Sequence, residues 1–232
     1  MKKVRQFSEQ ILDSIPVPTV AGPNRGMLFS LTVCGRHWYG NWEPERVSLI
    51  ERVVHKGDVV WDIGAHHGVT TLMASRLAGE SGLVNAFEPS LRNFDYLSRH
   101  VRWNRASNVT THNCAIAAHS GERQFGGYGS SQTFALDRGD ETVRCVSIAD
   151  LLASGVPAPT VIKLDTEGCE GEMLQTGAHL LPSNCRLIVS LHCIENYRRV
   201  IDALQGALFR FLPSKELEHL VKSGESKWGR DP

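Results

Sequence analysis

Three short stretches of this chain place acids and glycines where a folded protein does chemistry. In the first, Asp62, Gly64 and Gly68 stand in the order D-x-G-x-x-x-G, at the end of the short apolar run Asp58–Ile63. In the second, Glu88 and Pro89 close the apolar run Leu83–Phe87, with Glu88 24 positions past Gly64. In the third, Asp165, Glu167, Glu170 and Glu172 follow the run Val161–Leu164, which itself holds Lys163, four acids within eight residues. Glycine admits positive φ and lets a ligand approach the backbone, and a helix that follows such a turn offers unpaired N–H groups. The order of glycines is not the G-x-G-x-x-G of dinucleotide binders, which argues against a nicotinamide dehydrogenase.

The acid ahead of the first glycine selects among ligands. An anion there suits a ligand with a positive ammonium and repels a pyrophosphate. S-adenosylmethionine has no phosphate and carries both an ammonium and a sulfonium. An acid in the position of Glu88 accepts hydrogen bonds from ribose hydroxyls, the arrangement used for adenosyl ligands on doubly wound sheets. Pro89 removes a donor and stiffens that turn. Lys163 and Asp165, two apart, share one face of their strand. They form either a structural ion pair or a device that orients a substrate hydroxyl. Glu170 and Glu172 begin the next helix, where acids suit the helix dipole, and Glu172 reads as solvated.

These tips must be carried by strands alternating with helices. The spacing of Val47, Ile50 and Val54 predicts a helix from Glu45, and Leu72, Met73 and Leu77 predict one over Val69–Ala78. Ser90 can cap a helix reaching Asn104, with Phe94, Leu97 and Val101 inward. Val109–Ile116 reads as a third strand, Leu187–Leu191 as a fifth and Leu208–Leu212 as a late strand. Ser147 and Asp150 have the spacing of a capping box ahead of a short helix. Helices are also expected over Glu170–Leu181 and Asn196–Leu204. Residues 27–40 read as two short strands, and the Gly- and Ser-rich segment 119–146 as short β-like pieces. The expected fold is α/β: a single doubly wound, mostly parallel sheet with helices on both faces. An N-terminal arm with short strands covers residues 1–40, and the domain covers 41–232. Ligands of such sheets lie beyond the carboxyl ends of the strands, where strand order reverses.

Composition narrows the partners. Lys plus Arg and Asp plus Glu both number 25 in 232 residues, so the basic footprint of a nucleic-acid binder is missing. Arg99, His100, Arg102 and Arg105 form a local basic stretch that reads as a solvated helix face. The six cysteines contain no C-x-x-C pair, which argues against a structural zinc site and for a reducing compartment. No signal-peptide core and no apolar run of membrane-spanning length appears, so a soluble, cytoplasmic protein is expected. The sequence leaves oligomeric state open.

Taken together, Asp62-Ile63-Gly64-Ala65-His66-His67-Gly68, Ala86-Phe87-Glu88-Pro89 and Ile162-Lys163-Leu164-Asp165-Thr166-Glu167-Gly168-Cys169-Glu170 resemble the FkbM-type methyltransferases. Trp42-Glu43-Pro44-Glu45 and Val146-Ser147-Ile148-Ala149-Asp150-Leu151-Leu152 resemble further pieces of that family, and the similarity covers roughly residues 40–192. The resemblance implies a class I (Rossmann-like) methyltransferase fold, S-adenosylmethionine as cofactor, and O-methylation of sugars or other natural-product hydroxyls. His192 matches the family pattern, whereas His66-His67 and Ser190 depart from it, Glu being common where Ser190 stands.

The candidate cofactor residues are Asp62, Gly64, Ala65, Gly68, Glu88, Pro89, Ala115 and Asp165. Methyl transfer to a hydroxyl calls for a base, and His192 is the first candidate because imidazole titrates near neutrality. Asp165 is the second, as base or acceptor anchor, with Lys163 beside it. Ser130 and Ser131, in the polar stretch Gly126–Thr133, are the candidate acceptor contacts. Three acids near one strand end are more often caps than ligands, so no metal is expected. N-methylation, RNA methylation and a non-catalytic cofactor-binding domain are the competing readings.

Overall fold

The computed structural model describes residues 12–34, 39, 43–127, 135–166, 168–191 and 194–210. Its strands are β1 (Pro16–Pro18), β2 (Leu28–Ser30), β3 (Val59–Ile63), β4 (Leu83–Phe87), β5 (Val109–His112), β6 (Ala115–Ile116), β7 (Gly121–Gly126), β8 (Ala135–Leu136), β9 (Glu141–Val146), β10 (Val161–Leu164) and β11 (Arg186–Val189). Its α-helices are α1 (Leu31–Cys34), α2 (Pro44–Val53), α3 (Val69–Ala78), α4 (Leu91–Trp103), α5 (Ile148–Ala153), α6 (Glu170–Gly177) and α7 (Ile194–Gly206).

Five strands form a parallel sheet in the order β11-β10-β3-β4-β5. The chain builds outward from β3 to β5, then returns to lay β10 on the other side of β3. Strand order therefore reverses between β3 and β10. Alternation along each strand divides the core into two layers. Val60, Val84 and Val161 pack with Ile50 and Val54 at α2 and with Met73, Ala74 and Ala78 of α3. Trp61, Ile63, Phe87, Ile162 and Leu164 face the other way, onto Ile148 and Leu151 of α5, Met173 and Leu174 of α6, and Val200 and Leu204 of α7. Burying both faces is why β3 and β10 are apolar at every position but Asp62 and Lys163, and the expected doubly wound α/β fold is what forms.

Several local expectations differ from the structure. Residues 28–34 form one strand and one helical turn in place of two strands, and Pro16–Pro18 pairs antiparallel with Leu28–Ser30 as a hairpin. The stretch 109–116 divides: β5 stays in the parallel sheet, while β6 turns away and pairs with β9 in a second sheet ordered β6-β9-β7-β8. The break falls at Asn113, whose side-chain amide donates to the carbonyls of Glu88 and Pro89. α6 ends at Gly177 and continues as a 3-10 turn over Ala178–Leu180. Ser147 caps α5, its Oγ accepting the Asp150 N–H at 3.1 Å, but the acid of the box does not return the bond; the Ser147 N–H goes to Ser120 Oγ.

Leu208–Arg210 is not a strand. The Phe209 N–H bonds to the Leu204 carbonyl and the Leu208 N–H to that of Gln205, the double closure that ends many helices. Leu208 sits in the left-handed region (φ 63°) and is 89% exposed. That conformation costs a β-carbon-bearing residue about 1 kcal/mol that glycine does not incur. Leu208→Gly should therefore raise stability by about 1 kcal/mol, read from denaturant unfolding.

The basic stretch on α4 is also only partly a solvated face. His100 is fully buried, and Arg99 lies over the rings of Tyr96 and Trp103 and donates to the Asp13 carbonyl. The buried stripe of α4 is Asn93, Tyr96, Leu97 and His100, with Phe94 and Val101 partly covered. Glu172 is paired with Arg123 of β7 and is not simply solvated.

Candidate active site

The turn after β3 can be made only by glycine at Gly64. Its φ is 76°, and a β-carbon there would stand 1.9 Å from the Asp165 carbonyl oxygen. The amides of Gly64 and Ala65 both donate to the Phe87 carbonyl at 3.0 Å, tying the turn to the end of β4. Gly68 (φ 84°) begins α3 with no side-chain cap, and a β-carbon there would meet Leu97 Cδ1 at 2.8 Å. Between them His66 is also left-handed (φ 49°), and its N–H donates to Glu88 Oε2 at 2.8 Å.

Glu88 is 4% exposed. Its Oε1 accepts the Ser90 N–H at 3.0 Å and Asn93 Nδ2 at 3.3 Å. Burial pushes the carboxyl up to about 7, against the N–H groups of His66 and Ser90 that favour the anion. Pro89 is half-buried beside it, its carbonyl fixed by Asn113, and Ala115 lies buried at the start of β6.

Asp62 and Lys163 are register partners on adjacent strands and point to the same face. Lys163 Nζ donates to the Gly64 carbonyl at 2.7 Å and stands 3.2 Å from Asp62 Oδ1 and 3.8 Å from Asp165 Oδ2. Asp62 is 0% exposed, and its second oxygen accepts the Thr71 hydroxyl at 2.6 Å. Its carboxylate is thus turned inward, beneath the Gly64 turn.

Asp165 is the more open of the two acids and is met from another direction. Arg46 NH1 of α2 lies 2.6 Å from Asp165 Oδ2, its NH2 donates to Ser190 Oγ at 3.1 Å, and its Nε is 2.7 Å from Glu43. One guanidinium thereby joins the tips of β10 and β11, beside the reversal point between β3 and β10. The loop after β10 is closed by Glu170, which is fully buried and accepts the amides of Thr166 (2.8 Å) and Gly168 (3.1 Å) and Asn196 Nδ2. Those contacts give Glu170 a loop-closing role.

The structure therefore gathers Asp62, Gly64, Ala65, Glu88, Pro89, Lys163 and Asp165 at the carboxyl edge of three neighbouring strands, with Gly68 at the start of α3 and Ala115 just beyond β5. Ser130, Ser131, Glu167 and His192 lie outside the described residues. Sequence reasoning missed Arg46, although Glu43 to Glu45 immediately before it had been singled out. It also missed Asn93, a polar residue at a position the helix pattern assigns no task.

A model of the FkbM methyltransferase domain matches residues 62–215. The hexuronic acid methyltransferase AglP of Haloferax volcanii is 30% identical over 170 residues, covering 71% of this chain and 69% of that protein. The solved O-methyltransferase of Bacillus cereus in complex with SAH shares the fold at 11% identity, with a TM-score of 0.50 over 71% of this chain and 70% of that one. A methyltransferase FkbM from Methylobacillus flagellatus matches at 20% identity and a TM-score of 0.49, over 75% of this chain and 47% of that one. The family match reaches from Asp62 through the tips of β4, β10 and β11, and so takes in the site described above apart from Arg46 and Glu43: the chain belongs to the FkbM family of S-adenosylmethionine-dependent methyltransferases.

Proposed function

We propose that this protein methylates a hydroxyl of a saccharide or natural-product small molecule, with the cofactor across the tips of β3 and β4 and the acceptor beside those of β10 and β11. The observation that carries the reading is the pairing of the glycine-only turn at Gly64 with the buried carboxylate of Glu88, next to the point of strand reversal. This pair fits an adenosyl ligand without phosphates: the carboxylate is an acceptor for ribose hydroxyls and repels a pyrophosphate, while the turn at Gly64 and Ala65 is tied to the end of β4 beside it. Pro89 and Ala115 flank the same face. Asp62 serves from beneath, by holding Lys163, which in turn holds the Gly64 carbonyl.

When bound, the cofactor supplies a methyl group on a sulfonium. The protein must bring the acceptor oxygen within about 3–3.5 Å of that carbon and remove its proton. In this reading His192 takes the proton of the reacting hydroxyl, Asp165 anchors the acceptor by accepting a hydrogen bond from a neighbouring hydroxyl, and Ser130 and Ser131 contact the rest of the acceptor. Arg46 and Lys163 fix the Asp165 carboxylate for that task. The saccharide class is favoured by the relative that acts on a hexuronic acid. A reducing cytoplasm fits the buried free thiols of Cys114, Cys145, Cys169 and Cys185, and among the described residues no helix is long and apolar enough to cross a membrane.

The test is methyl transfer from labelled S-adenosylmethionine to a panel of hexuronates, neutral hexosides, amines and total RNA. Label in a saccharide methyl ether is expected; label confined to amines or RNA would replace this reading with one of those. His192→Ala should reduce turnover by about 10²–10⁴-fold with cofactor affinity unchanged, the range for a lost general base. Undiminished turnover would remove His192 from the chemistry.

A further inference from the structure

The ring of His100 has a partner on each nitrogen. Nε2 lies 2.9 Å from the Ser30 amide nitrogen and 3.0 Å from Ser30 Oγ, and Nδ1 lies 2.7 Å from the His67 carbonyl oxygen. A backbone N–H can only donate, so Nε2 is an acceptor without a proton. The proton of the neutral ring is then on Nδ1 and is donated to the His67 carbonyl. Burial first, and Arg99 after it, push His100 down to about 4, which keeps the ring neutral. One buried side chain thus joins β2, at the N-terminal end of the chain, to the turn between Gly64 and Gly68.

Other contacts run between the same parts. Asn104 accepts the Leu28 N–H and donates to the Leu28 carbonyl, both at 2.8 Å, as a neighbouring strand would. Asn24 Nδ2 donates to the Val69 carbonyl at 2.9 Å. Arg76 donates to the carbonyls of Pro23 (2.7 Å) and Arg25 (3.1 Å). Phe29, fully buried, meets the His100 ring edge-on at 5.0 Å and packs with Val69 and Leu72. All these contacts land on α3 or α4 or on the residue that follows α4, and the N-termini of those two helices bear the Gly64–Gly68 turn and Glu88.

We propose that His100 is a positioning residue for the cofactor, bracing the hairpin Pro16–Ser30 against the Gly64–Gly68 turn by donating from Nδ1 to the His67 carbonyl. His66, one residue earlier, keeps a left-handed backbone that a non-glycine residue holds only when its surroundings impose it. Its amide is fixed by Glu88 on one side, and the carbonyl of the next residue is fixed by His100 on the other. Loss of the second contact lets the turn relax and withdraws the His66 amide from Glu88. The hairpin Pro16–Ser30 of the N-terminal arm is, in this view, part of the cofactor site. The inference rests on the turn being where S-adenosylmethionine binds.

Two variants of the full chain separate the two ends of the ring. In His100→Asn the side-chain amide nitrogen reaches the place of Nδ1 and keeps the bond to His67. In His100→Gln the amide oxygen reaches the place of Nε2 and keeps the bond from Ser30. Calorimetric titration with S-adenosylmethionine should show the Asn variant within about threefold of the parent and the Gln variant weakened about tenfold, the scale of one lost hydrogen bond. Thermal unfolding, measured alongside, should fall by similar amounts in both, since each loses one bond and some packing. If both variants bind as the parent does, or if affinity in both merely follows unfolding temperature, the brace is refuted. Glu88→Ala in the same titration separates the two ideas. Unchanged binding there overturns the cofactor site itself; weakened binding there with an unaffected Gln variant overturns only the role of His100.

Discussion

Replacing Glu88 with alanine is expected to weaken S-adenosylmethionine binding about a hundredfold, because a buried charged acceptor of two hydroxyls is worth roughly 2–3 kcal/mol. Glu88→Gln gives a second and opposite readout. Burial raises the carboxyl from 4.5 to about 7 in the folded protein. The folded state then binds a proton more tightly than the unfolded chain, so stability falls as pH rises from about 4.5 to about 7, and the buried charge is carried in full above that. Glutamine removes this pH dependence, although its amide nitrogen faces one of the N–H donors that the carboxylate accepts. The stability of the Gln variant relative to the parent should rise by on the order of 3 kcal/mol between pH 4 and pH 8. The same proton makes cofactor binding pH-dependent: the ribose hydroxyls need the carboxylate, so affinity in the parent should climb between pH 6 and pH 8 and stay flat in the Gln variant. Calorimetry across that range checks both, and a flat profile in the parent would refute the role of the ionised form.

Lys163→Met should produce the largest loss of stability. Lys163 and Asp62 are both buried and in register, and Met leaves the Asp62 carboxylate without its countercharge. Breaking one side of such a pair costs about 3–5 kcal/mol, which for a chain of this size lowers the unfolding temperature by on the order of 10 °C. The Gly64 carbonyl loses its ammonium donor in the same step. Adding Asp62→Asn removes the stranded charge and keeps a bond to Thr71, so the double variant should recover more than half of the loss. Its turnover distinguishes the two roles open to Lys163. If activity returns with stability, Lys163 is a support; if the double variant folds well and stays inactive, Lys163 acts on the reactants. An undiminished unfolding temperature in Lys163→Met would refute the ion pair.

The parts legible in the sequence were those whose signal is local. β4, α3 and β10 fall where the apolar runs, glycines and strand-end acids placed them, because each is bounded by its own turn chemistry. The Glu88–Gly64 pairing was readable from spacing alone, since one strand, one helix and the next strand fix that separation. Arg46 was not readable: its partner Asp165 stands 119 positions away, and only the reversal of strand order brings them together. His100 was hidden for another reason. It shares a basic stretch with Arg99 and Arg102 of α4 and with Arg105 just beyond it, and charge pattern gave no sign that this one member turns inward. The second sheet was legible only as β-like pieces over 119–146, which hold β7 and β9; its assembly was hidden because β6 and β8 are two residues long, too short for alternation to show.

That second sheet has a property beyond its own packing. β6 and β9 pair side by side in parallel, Ala115 opposite Cys145 and Ile116 opposite Val146. The whole excursion from residue 117 to residue 144 therefore departs from and rejoins the fold at neighbouring points. Changing the length of such a detour alters closure entropy only slowly, by roughly 0.6 kcal/mol per doubling. The fold is thus partitioned: one portion is bound by strict register and glycine geometry, and the other is free to diverge in sequence and size. In the reading proposed above, where Ser130 and Ser131 on this detour contact the acceptor, a change of detour would change the acceptor and leave the methyl-donor site in place.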